Sequence, residues 1–189
     1  MESLRTFIAI DVKVEKELKS KWLELKTALR NDNIKWVDEN SLHLTLFFLG
    51  NTPFDLIDSI GHKLDSELHG IHSFSIKIQG FGTFGNPKSP RVIWAGISKS
   101  EQLKGLKETV GGAISSSGFY EQEGAFSPHF TLGRVKQMHP SDELLSFINR
   151  NGSIVLQEVE VKEVVFYQSI LKPNGPVYKP LKTVKLLSL

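Results

Sequence analysis

His43-Leu44-Thr45-Leu46 returns as His129-Phe130-Thr131-Leu132, 86 positions later. In a β-strand successive side chains alternate faces, so the His and Thr of each copy point one way. The Leu or Phe between them, and the Leu that follows, point the other way into a core. Each copy thus presents one imidazole and one hydroxyl on an otherwise apolar strand. Two such strands face to face surround a single substrate with two proton-transfer groups and two hydroxyl donors. That is an arrangement suited to phosphoryl transfer without a metal.

The same offset carries Arg5 onto Arg91, Ala9 onto Ala95, Lys21 onto Lys107 and Ser41 onto Ser127. The run Arg5-Thr-Phe-Ile-Ala-Ile-Asp11 falls on Arg91-Val-Ile-Trp-Ala-Gly-Ile97, and an amphipathic helical run follows each. The period is close to half the chain, and such internal repeats decide architecture before any other signal. Chance likeness between two amphipathic α/β segments is the alternative, but it does not explain why chemical residues and element order share one offset. The expected fold is α+β and bilobed: two pseudo-symmetric lobes, each a mainly antiparallel sheet with helices outside, and a cleft between them. Residues 1–189 form a single bilobed domain with an internal repeat of roughly 5–68 and 91–150.

Along the chain, 4–12 reads as a buried strand and 14–31 as a helix carrying Val14, Leu18, Trp22, Leu25 and Leu29. Strands are expected at 34–37 and 42–49, with a helix from Pro53 to Leu68. Residues 73–80 alternate as a strand, and the glycines and prolines from Gly80 to Pro90 suggest a loop. A strand at 91–97, a helix at 101–117 and a strand at 127–135 follow, then a short helix at 141–150. Three β-rich runs near 154–171, 176–180 and 182–187 close the chain, interrupted by Lys172-Pro-Asn-Gly-Pro176.

With 189 residues, 40% apolar and 23% charged, the composition is that of an ordinary soluble globular protein. A formal charge of +2 is too small for nonspecific coating of nucleic acid, although Lys88, Arg91, Arg134 and Lys136 offer a local basic surface. The absence of cysteine excludes disulfides, thiol nucleophiles and Cys-based zinc sites. No apolar stretch approaches the roughly 20 residues that span a bilayer, and Met1-Glu2-Ser3-Leu4-Arg5 leads directly into a strand. The expected location is the cytoplasm, with no membrane association.

An imidazole with an ordinary pKa of about 6.5 serves as acid or base near neutrality. Two of them in opposite protonation states activate a nucleophile and protonate a leaving group in one step. Threonine hydroxyls donate to non-bridging phosphate oxygens, and displacement at phosphorus needs positioning and charge neutralisation above all. Zinc held by the two histidines is the rival reading, but no carboxylate is expected to accompany either motif, there is no cysteine, and Thr is a poor zinc ligand. The remaining histidines, His62, His69, His72 and His139, fall on helices or turns and read as solvated.

The chain resembles the 2H phosphoesterase superfamily, and within it the bacterial and archaeal RNA 2′,3′-cyclic phosphodiesterases, historically called 2′-5′ RNA ligases. The resemblance rests on Arg5-Thr-Phe-Ile-Ala-Ile-Asp11, on Trp36-Val37 followed by Asn40-Ser-Leu-His-Leu-Thr-Leu-Phe-Phe-Leu-Gly50, and on Gly80-Phe-Gly-Thr-Phe84. It continues through Arg91-Val-Ile-Trp94, Pro128-His-Phe-Thr-Leu-Gly-Arg134, Ser169 and Gly175-Pro-Val-Tyr178, nearly the whole chain. It implies hydrolysis of RNA ending in a 2′,3′-cyclic phosphate to a 2′-phosphomonoester, with no cofactor or metal and no obligatory protein partner, by a monomer. It further implies that His43 is the general acid toward O3′ and His129 the general base, with the pseudo-symmetry leaving an exchange of these two roles open, that Thr45 and Thr131 hold the phosphate, and that Arg134, Phe48 and Trp94 contact substrate. Phe47 stands where many relatives carry a polar or basic residue, which removes a phosphate contact there. Arg134 lies five positions from His129, so strict alternation faces it away from the site; it sits past the strand end or it is a surface arginine. Two alternatives share these residues: ligation of RNA ends through a 2′-5′ bond, and RNA-end binding without turnover. Hydrolysis is favoured because water is abundant and no ATP-binding loop is apparent.

Overall fold

The structure, a computed structural model, describes residues 2–86, 89–119, 126–139, 142–173 and 175–188. The elements run β1 (Ser3–Asp11), α1 (Lys16–Ala28), β2 (Asn33–Trp36), β3 (His43–Pro53), α2 (Ile57–Leu68), β4 (Phe74–Asn86) and β5 (Ser89–Ile97). They continue as α3 (Glu101–Ser116), β6 (His129–Gln137), α4 (Glu143–Asn151), β7 (Val155–Val161), β8 (Glu163–Lys172) and β9 (Gly175–Lys185). Local chemistry accounts for the main boundaries. Leu18, Trp22 and Leu25 give α1 one buried stripe. The Ser100 side chain caps α3 by accepting from Leu103 N at 3.1 Å.

All strands join one antiparallel sheet in the order β7-β4-β5-β6-β3-β1-β8-β9, with β2 paired to β6. The two halves of that order meet at β3 and β6, which pair only through Leu44 and Phe130, both 0% exposed. Beyond that point β6 takes β2 as its neighbour, from Gly133 to Gln137. The sheet therefore divides beside the two His-x-Thr segments, and the division is the cleft.

The lobes are not the two halves of the sequence. β4 leaves the first half to pair with β5 and β7, while β8 and β9 return from the second half to pair beside β1. The helices cross as well: α1 packs on α4 and β7, and α3 packs on α2 and β3. Each half of the chain thus covers part of the other lobe, and a single apolar cluster runs through both.

Several boundaries differ from those read in the sequence. The expected loop at 80–90 is largely a β-hairpin, because the strand pairing of β4 with β5 continues from Phe81 to Asn86 across the glycines. Gly80, at φ +69°, makes the bend; a Cβ there would lie 2.4 Å from Gly152 O, so only glycine fits. Pro53 ends β3, and a 3-10 turn at Phe54–Leu56 precedes α2. The run 154–171 is two strands, whereas 176–180 and 182–187 belong to one, β9, whose Pro176 and Pro180 lie on an edge strand where no inward ladder donor is lost. Lys88 lies outside the described residues.

The joint predicts a stability effect. Phe130→Ala should cost about 3–5 kcal/mol in denaturant unfolding, because its ring is fully enclosed where the lobes meet. A cost below about 1 kcal/mol would show that this contact does not hold the lobes together.

Candidate active site

Both histidines begin strands and both are turned by the same local bond. His43 Nδ1 lies 2.9 Å from Ser41 O, and His129 Nδ1 lies 2.7 Å from Ser127 O. A carbonyl oxygen only accepts, so each Nδ1 carries the proton and each neutral ring keeps its Nε2 lone pair free. Continued one residue either way, the Leu44–Phe130 register sets His43 against Thr131 and Thr45 against His129. The four side chains then occupy one face, opposite the buried Leu44 and Phe130.

Arg134 joins them through a β-bulge. Trp94 pairs with Thr131 and Ile93 with Gly133, so Leu132 is an extra residue in β6. The insertion reverses the parity: Arg134, opposite Val92, returns to the face of Thr131. It needs no place beyond the strand end, and it acts electrostatically on both imidazoles. The first lobe has the matching bulge at Leu46, between Thr45 opposite Ala9 and Phe47 opposite Ile8. That insertion places Phe48, opposite Phe7, on the cleft face, where it is 48% exposed with the Arg5 guanidinium 4.7 Å above its ring. Phe47 faces the other way, toward α3, with Lys107 Nζ 3.4 Å from its ring centre.

Aromatic rings back each imidazole. Phe7 lies 5.0 Å from the His43 ring and Tyr178 meets it edge-on at 5.1 Å. Phe84 meets His129 edge-on at 4.6 Å, with Trp94 at 6.4 Å. Trp94 lies against Gly82, where a Cβ would come within 2.3 Å of the indole; half-buried on the cleft face, it packs beside His129 and Phe84. Next to His43 a pocket of about 350 Å³ opens between Asn40, Ser41, Tyr167, Val177 and Tyr178.

Asp11 is a site residue that the sequence reading misses. It pairs with His43 across β1 and β3, and its Oδ2 accepts from the Tyr167 hydroxyl at 2.5 Å. So one motif does have a carboxylate beside it. The alternation Arg5, Phe7, Ala9, Asp11 along β1 is the available signal, since it sets all four on one face. Tyr167 and Tyr178 arrive from β8 and β9; Tyr178 closes the Gly175-Pro-Val-Tyr178 run of the resemblance without a role read for it, and Tyr167 has no such signal. His139 is exposed as expected, but it has a partner: its Nδ1 sits 3.2 Å from Asp32 Oδ1.

Burial is the main influence on both rings and pushes both pKa values down, because an imidazolium loses hydration. The carbonyls of Ser41 and Ser127 oppose this, and Arg134 adds to it. For His43, Asp11 also favours the charged form, while His129 disfavours it. Burial raises the Tyr178 pKa, against the opposing effects of Arg134 and Arg5. Among the described residues, no three of His, Asp or Glu converge in a way that could hold a metal ion. No helix among them is long and apolar enough to cross a membrane.

Residues 15–170 match the sequence model of the 2′-5′ RNA ligase superfamily. The chain belongs to that superfamily. Among its relatives, the RNA 2′,3′-cyclic phosphodiesterase of Thermotoga maritima is 38% identical over 178 residues, covering 94% of this chain and 93% of that protein. The protein of the same name from Archaeoglobus fulgidus is 35% identical, covering 95% and 98%. The protein TT0787 of Thermus thermophilus superposes with a TM-score of 0.71 at 27% identity, covering 97% of this chain and 98% of that one. Escherichia coli LigT in its apo form shares the fold, with a TM-score of 0.73 at 21% identity over 98% and 99% of the two chains.

These electrostatics are testable by NMR titration of the imidazoles of this superfamily member. His43 and His129 should both titrate below 6.5. Asp11→Asn should lower the His43 value further, since a carboxylate that favours the imidazolium is gone. Arg134→Gln should raise both. Movement in the opposite direction for either variant would refute the arrangement of charges described above.

Proposed function

We propose that the protein hydrolyses RNA ending in a 2′,3′-cyclic phosphate, without a metal, to leave a 2′-phosphomonoester and a free 3′-hydroxyl. The observation that carries this reading is the pair of imidazoles, each held by a backbone carbonyl so that Nε2 is free, on strands that meet at one contact. The names of the relatives support the same substrate.

In this reading the cyclic phosphate lies between the motifs. Thr45 and Thr131 donate to its non-bridging oxygens, and the Arg134 guanidinium neutralises charge as it builds. His129 Nε2 takes a proton from water as the new O–P bond forms. His43 Nε2, charged, gives its proton to O3′ as the P–O3′ bond breaks. The rings end in exchanged protonation states, and solvent restores them. Among the described residues, Asp11 is the one carboxylate acting on either ring, and it acts on His43, which supports that ring as the acid. In this reading no divalent ion takes part, because the described residues around the motifs supply hydroxyls, aromatics and a guanidinium instead of a carboxylate cluster. Unstrained 3′-5′ bonds should remain intact, as they lack the five-membered ring.

Incubation with an oligonucleotide ending in a 2′,3′-cyclic phosphate separates hydrolysis from religation and from retention without turnover. Activity should persist in excess chelator and yield a 2′-phosphate. Loss in chelator, restored by zinc or magnesium, would defeat metal independence, and a 3′-phosphate product would defeat the assignment of His43.

His43→Ala and His129→Ala should each lower turnover about 10²–10⁴-fold. The kcat/KM bell should be centred on the acid side of 6.5, because both free-enzyme pKa values are lowered and the singly protonated pair is most populated there. Near-normal rates in either variant would remove that ring from the mechanism.

A further inference from the structure

The bulge that returns Arg134 to the cleft brings a second cation with it. Val92, Arg134 and Lys35 are direct partners across β5, β6 and β2, so their side chains share the face of Thr131. Like charges set opposite one another on neighbouring strands are destabilising. Neither Arg134 nor Lys35 is relieved by an ion pair with a carboxylate among the described residues. An arrangement that costs stability in the free protein is explained if a polyanion occupies it.

The two cations do not serve the same anion. Arg134 acts on both imidazoles, whereas Lys35 is not among the groups that influence either ring. Its ammonium instead reaches the tip of the β8–β9 hairpin, where a Cβ on Gly175 would lie 3.8 Å from Lys35 Nζ. The residues that follow Gly175, namely Pro176, Val177 and Tyr178, wall the pocket of about 350 Å³ beside His43. With His43 protonating O3′, the terminal ribose belongs on the His43 side, and its nucleoside has this pocket to enter. Its 5′ oxygen then leads away from the histidines, along the hairpin wall and toward Lys35.

We propose that Lys35 binds the phosphodiester on the 5′ side of the terminal nucleoside, so that the site selects oligonucleotides over mononucleotides. The assignment rests on the cyclic phosphodiesterase reading. It adds a subsite one phosphate outward from the chemistry, filled by an ammonium acting as a point charge on a freely rotating diester.

The test compares kcat/KM for a trinucleotide ending in a 2′,3′-cyclic phosphate with that for a mononucleoside 2′,3′-cyclic phosphate. Lys35 is exposed on a short strand, so its variants should fold, and circular dichroism checks this. The trinucleotide should be the better substrate of the unaltered protein. Lys35→Ala should lower the trinucleotide-to-mononucleotide ratio about tenfold, the order expected for one charge-assisted contact. Its trinucleotide rate should depend on salt less steeply by about 0.7 in log–log slope, and Lys35→Arg should restore most of the ratio. An unchanged ratio would overturn the assignment, whether both rates fall equally, which would put Lys35 on the reacting phosphate, or neither falls. An unaltered protein that turns over neither substrate would defeat the phosphodiesterase reading itself, and the Lys35 subsite with it.

Discussion

One antiparallel contact, Leu44 against Phe130, governs the geometry of everything around it. Both side chains are removed from water at the joint of the lobes, and burying each contributes about 1.5–3 kcal/mol. Because the strand period is two, driving these residues into the core forces His43, Thr45, His129 and Thr131 onto the opposite face. The apolar core thereby aims the polar groups. Since β3 and β6 share only this pair before β6 turns to β2, the aimed groups open into a cleft instead of being sealed inside a sheet.

Twin bulges then set what else reaches that cleft. Leu46 and Leu132 stand at equivalent places after their histidines, and each reverses the alternation once. The residues delivered are different: Phe48 with Arg5 over its ring on one side, Arg134 beside Lys35 on the other. Asp11 likewise sits opposite His43, while the position equivalent to it by the 86-residue offset is Ile97. A nearly symmetric scaffold thus surrounds its two imidazoles with unlike charges. In the proposed hydrolysis, two rings of one chemical kind need such a difference to take opposite proton-transfer roles.

The crossed helices and strands keep this arrangement rigid. With α1 lodged on the second lobe and α3 on the first, the lobes cannot separate without exposing shared core. The backbone carbonyls of Ser41 and Ser127 fix ring orientation, and the aromatic residues behind each ring hold it in place. Both features favour imidazoles whose Nε2 position is set before a substrate arrives.

Local sequence determined a good deal of this protein. The repeated tetrapeptide, the strand period and the apolar spacing of 14–31 were enough for the element order, the antiparallel α+β class and the shared face of four site residues. They sufficed because alternation is a local property, fixed by the backbone itself. Local sequence misjudged Arg134, because a bulge appears only when a partner strand supplies the register, and parity counted along one strand cannot register an inserted residue. It misjudged 80–90 because pairing with β5 overrode the turn preference of the glycines. It missed Tyr167 and Tyr178, which approach His43 from strands more than a hundred residues away, and the pairing of Lys35 with Arg134, which come from distant segments. Which residues alternate was written in the sequence; which strands lie side by side, and where one bulges against another, was decided only by the tertiary structure, because hydrogen-bond register belongs to pairs of strands and never to one.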